Sequence, residues 1–89
     1  MECTAAHWAV FHNRPETLAL LLSVGANPDA RIVDGSTLLH CAAMRGATEM
    51  VKLLINYGAN TRLRDGESRT SLEVALGNGK DAAVDLLRG

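Results

Sequence analysis

The chain has 89 residues, with nine Lys+Arg against ten Asp+Glu and a formal net charge of -1. That length fits one domain with a small core, and the near balance of charge excludes a strong field that would gather nucleic acid or an anionic membrane surface. The aromatics are Trp8, Phe11 and Tyr57, too few to make a row of base-stacking platforms.

Self-similarity at a fixed offset organises everything that follows. Thr4, Thr37 and Thr70 stand 33 residues apart, and Ala9, Ala42 and Ala75 keep that spacing. So do His7 and His40, Gly25 and Gly58, Asn27 and Asn60, and the pairs Leu20-Leu21, Leu53-Leu54 and Leu86-Leu87. Three units result, covering about residues 1–31, 32–64 and 65–89 of one domain. The first is expected to lack its hairpin, since only three residues precede Thr4. The middle unit is the clearest. Asp34-Gly35 is a turn signal, and Thr37 is placed to cap a helix over Leu38 to Arg45. Gly46 stops that helix in the left-handed conformation. A second helix opens at Ala47 or Thr48 and runs to about Asn56, with Met50, Val51, Leu53, Leu54 and Ile55 on a broad apolar stripe. Gly58 ends it, and an extended loop leads into the third unit. Helices this short do not stand alone in water. They need neighbouring units to cover them, so stability is expected as unit terms plus interface terms.

The run Asp34-Gly35-Ser36-Thr37-Leu38-Leu39-His40-Cys41-Ala42-Ala43, continued by Gly46 to Glu49, Val51, Leu53-Leu54 and Gly58-Ala59-Asn60, resembles the ankyrin repeat. The resemblance covers nearly the whole chain, from Thr4 to Leu87. It implies an all-α solenoid of three helix-turn-helix units joined by β-hairpin-like loops. It also implies a non-catalytic protein-interaction module. Several residues depart from the family pattern. Leu38 stands where proline is usual, as do Ala5 and Ser71 in the outer units. Glu73 replaces the motif histidine of the third unit, and Ser68 replaces the hairpin glycine. Atypical units at the ends of a stack are common in such proteins.

Residues with chemical potential are absorbed by the repeat. His7 and His40 occupy equivalent positions, which favours a structural role over metal ligation. Cys3 and Cys41 form no C-x-x-C motif, and two cysteines do not make a disulfide framework. Cys41 is expected as a buried thiol. Gly77-Asn78-Gly79-Lys80 hints at a phosphate loop but aligns with Met44 to Ala47, an inter-helix turn. No P-loop, zinc-protease or serine-hydrolase motif occurs, and no carboxylate pair is placed for acid–base work. No cofactor, metal or small-molecule substrate is therefore expected. Arg62, Arg64, Arg69 and Lys80 are interleaved with Asp65, Glu67 and Glu73, which reads as a mixed-charge surface.

The resemblance implies that a partner docks on the concave face, made of hairpin tips and the exposed side of each first helix. The repeat register puts Val33, Asp34 and Ser36 on the middle hairpin, and Gly66, Glu67 and Arg69 on the next. On the first helices it puts Phe11 and His12, then Met44 and Arg45, then Asn78. Tyr57 closes a second helix near the same rim, and Trp8 lies between groove and core. Trp8, Phe11, Met44, Arg45 and Tyr57 form the expected centre, because aromatic, Met and Arg side chains are enriched at interfaces. Trp8 also reads as a cap on the open end of the stack. Two other readings remain open at this point: the targeting part of a larger polypeptide, suggested by the abrupt start at Thr4 and end at Arg88-Gly89, and RNA binding through Trp8, Phe11 and the arginines. Self-association through the apolar ends, with Leu20, Leu22, Val84 and Leu87, is a further expectation. The longest apolar run, Leu18 to Leu22, is far short of a membrane span. The first residues lack the charged and apolar regions of a signal peptide, so an intracellular protein is expected.

Overall fold

The computed structural model describes residues 5–32 and 34–88. They form six helices in three pairs: α1 (Ala5–Phe11) with α2 (Pro15–Ser23), α3 (Leu38–Arg45) with α4 (Thr48–Asn56), and α5 (Ser71–Gly77) with α6 (Asp81–Arg88). α1, α3 and α5 pack side by side as one layer, and α2, α4 and α6 form the second behind it. None of these helices is long and apolar enough to cross a membrane.

The helix ends follow from local chemistry. Before α3, Thr37 is extended (φ -88°, ψ 172°) and its hydroxyl accepts the His40 N–H at 3.3 Å. That satisfies one of the backbone donors left orphaned at a helix start. After α3, Gly46 turns left-handed at φ 69°, and the Ala47 N–H reaches back to the Ala42 carbonyl at 3.0 Å. This closure caps the last free carbonyls. It recurs one period away on either side: Asn13 and Gly79 are left-handed at φ 56° and 68°, and the Arg14 and Lys80 N–H groups bond Ala9 and Ala75 carbonyls at 2.8 and 3.0 Å. Asn is the residue other than Gly that enters this conformation most readily, because its short side chain bonds locally. Pro15 opens α2 at a position where its missing N–H costs nothing.

The core runs between the two layers. Leu38, Leu39, His40, Cys41, Ala42 and Ala43 are buried without a break, because α3 is flanked by a unit on each side. Leu18, Met50, Val51 and Leu54 meet it from the second layer. Ala9, Ala42 and Ala75 are all 0% exposed, and their small side chains are what lets the inner helices approach closely. Truncating Leu39 or Leu54 to alanine in such a core costs about 2–5 kcal/mol.

Between the pairs the chain makes tight hairpins instead of strands. Arg31 and Thr37 form an isolated antiparallel bridge, and the Ile32 N–H donates to the Ser36 carbonyl at 3.0 Å. One period on, the Asp65 N–H donates to the Arg69 carbonyl at 2.9 Å. The loops are thus hairpin-like, as the family resemblance implies.

Candidate partner-binding surface

The hairpins are tied to the first helices by hydrogen bonds from buried side chains. In the middle unit the anchor is His40, fully buried behind Thr37. Its Nε2 lies 2.7 Å from the Arg69 carbonyl of the third hairpin. A carbonyl only accepts, so Nε2 carries the hydrogen. Nδ1 then accepts from the Thr37 hydroxyl at 2.7 Å and from the Thr37 N–H at 3.2 Å. One imidazole therefore caps its own helix and ties down the next unit. His7 is buried in the equivalent place. Burial lowers its pKa below the usual 6.5, against the opposing pull of a hydrogen bond to the Ser36 backbone and the charge of Asp34.

The third unit keeps the cap by other means. The Thr70 hydroxyl accepts the Glu73 N–H at 3.2 Å, and Glu73 Oε1 accepts the Thr70 N–H at 2.8 Å. The departure from histidine preserves the reciprocal cap, but a carboxylate has no N–H with which to reach a further carbonyl. Its hairpin is organised by Asp65. Asp65 Oδ1 accepts the Glu67 and Arg69 N–H groups, both at 2.9 Å, and Oδ2 meets the Arg69 guanidinium at 3.0 Å. Burial pushes the Asp65 carboxyl up, but the backbone donors of Arg69 and Glu67 and the Arg69 guanidinium outweigh it and hold the group below its usual 3.8.

On the inner helices the exposed side chains are few. Trp8 is 49% exposed, with its ring 4.6 Å from that of His12, centroid to centroid. Met44 is 47% exposed. Arg45 is also exposed, but its guanidinium donates to the Phe11 carbonyl at 2.7 Å and lies 5.9 Å from the centre of the Phe11 ring. Trp8 and His12 are thus brought together, and so are Phe11 and Arg45. At the hairpins, Asp34 is exposed and its Oδ1 accepts the Ser36 N–H at 2.8 Å. Arg69 reaches both Asp65 and Glu67, at 3.0 and 3.6 Å.

A family model described as ankyrin repeats (3 copies) matches residues 6–89. The chain belongs to the ankyrin-repeat family. Ankyrin repeats are generally protein–protein interaction modules and are typically non-catalytic. Within this ankyrin stack three sequence-derived site residues stand apart from the rest. Val33 lies outside the described residues, as do Cys3 and Thr4. Tyr57 is half-exposed where α4 of the outer layer closes. Asn78 turns its side-chain amide back on its own helix, donating to the Val74 carbonyl at 2.8 Å.

Sequence reasoning passed over three residues that the ankyrin stack depends on. Arg31 Nη1 donates to the Gly35 carbonyl of its own hairpin and the Arg64 carbonyl of the next unit, at 2.7 and 2.6 Å. Asp29 Oδ1 accepts the Asn60 N–H at 2.7 Å across the same junction. The pairing of Arg31 with Arg64 at the repeat offset was a readable signal for the first of these. Asp65 left none, because isoleucine fills its place in the middle unit. Gly66, which the register puts on the third hairpin, matters for a reason the register does not contain. A Cβ there would run into the backbone carbonyl of Asp34, because the two hairpin tips stack backbone on backbone.

Proposed function

We propose that this ankyrin stack recognises a partner protein on its concave face, with Trp8, Phe11 and Met44 as the apolar centre. His12, Arg45, Asp34, Ser36, Glu67, Arg69 and Asn78 would form the polar rim, with Val33 and Tyr57 at its margins. The observation that carries this reading is the exposure pattern of α3. Six consecutive residues, Leu38 to Ala43, are buried, and then Met44 is 47% exposed. An unbranched thioether side by side with arginine suits an adaptable contact patch. Because α1, α3 and α5 lie side by side, residues at one register position form a row along the stack. Ankyrin-repeat proteins are commonly intracellular, and we place this chain's partner in the same setting.

The test is site-resolved cross-linking. A photoreactive amino acid at position 44 should capture protein from source-cell extract, whereas the same group at Lys52 on the outer helix α4 should not. Equal capture at the two positions, or capture only at Lys52, would remove the concave face from consideration.

A further inference from the structure

The junction between the first two units is closed by two side chains from one loop. Arg31 donates to the Arg64 carbonyl at 2.6 Å, and Asp29 accepts the Asn60 N–H at 2.7 Å. One period on, Arg64 and Arg62 hold these places. Arg64 repeats the contact within its own hairpin, donating to the Ser68 carbonyl at 2.7 Å. An acceptor, Asp29, has thus been exchanged for a donor, Arg62. Next to them opens a cavity of about 480 Å³, lined by Arg62, Arg64 and Arg88 together with Leu72 and Leu87.

We propose that this cleft binds an acidic, extended peptide segment of a partner protein, at a place distinct from the concave face. The charge of the lining argues for it. Among the described residues, the ion pair made by the lining arginines is that of Arg64 with Glu73, at 3.6 Å. Among the described residues, Arg62 and Arg88 make no ion pair. Guanidinium forks match carboxylates in two-point geometry and are weakly hydrated, so three of them around one cleft select for Asp and Glu over neutral side chains. The extended form follows from the repeat. At the equivalent place Arg31 grips a main-chain carbonyl, and Arg64 presents the same group one period later. Leu72 and Leu87 are partly buried against the core and give an apolar side chain of the peptide a surface to cover.

The probe is a fluorescein-labelled octapeptide of alternating Asp and Leu, followed by anisotropy with the 89-residue protein. Saturable binding that weakens with added salt is expected. Arg62→Glu with Arg88→Glu should raise Kd by about tenfold or more, and the milder Arg62→Ala with Arg88→Ala by about threefold or more. Lys52→Glu, on another face, should leave Kd unchanged. The alanine pair decides the matter if the reversed pair fails to fold. Equal binding of the Asn–Leu octapeptide, or unchanged affinity in the arginine variants, would overturn the proposal. So would tighter binding of an octauridylate strand. Self-association that the same variants abolish would assign the cleft to a second copy and overturn it too.

Discussion

The two hairpins share one hydrogen-bond path and reach it with different residues. In the middle unit, Gly35 takes the left-handed turn at φ 88°, where a side chain would strike the backbone of Gly66. In the third, Ser68 takes the same turn at φ 63°. Non-glycine residues there cost about 1–2 kcal/mol. The third hairpin offsets this with Asp65, whose buried carboxylate gathers two backbone N–H groups and the Arg69 guanidinium. The same contrast holds at the caps. His40 spans two units through its two ring nitrogens, whereas Glu73 serves its own unit alone. The period therefore conserves positions of donors and acceptors more strictly than it conserves residue types.

The largest effect should come from breaking the histidine bridge that the third unit lacks. His40→Leu takes one of its two donors from the Arg69 carbonyl and leaves the buried Thr37 N–H and hydroxyl without the Nδ1 acceptor, and should cost about 3 kcal/mol in urea unfolding. Its third-unit counterpart, Glu73→Leu, should cost about 1 kcal/mol, the worth of a cap. Equal losses would erase the distinction between the units. Next, Gly66→Ala should cost about 2 kcal/mol by forcing the stacked hairpin tips apart. Gly77→Ala has open space around it and should be neutral or stabilising by up to about 1 kcal/mol, because it removes a helix glycine.

Acid should weaken the stack in two steps. Both His7 and Asp65 have folded pKa values below their ordinary ones of 6.5 and 3.8. In each case the unfolded chain binds protons first, so stability falls as pH drops below the ordinary value and on through the folded one. Thermal midpoints measured down a pH series should fall first below 6.5, from His7, and again below 3.8, from Asp65. Asp65→Asn should flatten the lower step and leave the upper one. The smallest expected change is a gain. Ser68→Gly relieves the left-handed strain against a greater entropy loss on folding, for a net of about 0.5 kcal/mol. A loss instead would mean that the Ser68 side chain holds the hairpin itself.

Most of the architecture was legible because it repeats. The bounds of α3 and α4, the Thr37 cap and the left-handed stop at Gly46 all follow from spacing and residue type. The inter-unit ties were less legible, since each depends on which side chain happens to reach across a junction. The match of Arg31 with Arg64 was a clue. Asp65 offered none, because its place in the middle unit holds Ile32. The surface was legible as register only. That Trp8 and Met44 are half-exposed follows from geometry the spacing does not contain. So does the use of Arg45, which the sequence marks as a surface cation and the fold turns onto the Phe11 carbonyl. Substituting Arg45 therefore disturbs the α1–α3 junction together with the surface, and Met44 is the cleaner probe.

The most direct measurement is the affinity of Met44→Ala for the partner captured by cross-linking, read together with the thermal midpoint. Recognition on the concave face predicts a Kd raised about tenfold, equivalent to about 1.4 kcal/mol, with the midpoint essentially unmoved. An unchanged Kd, or a loss of affinity that merely tracks a falling midpoint, would contradict it.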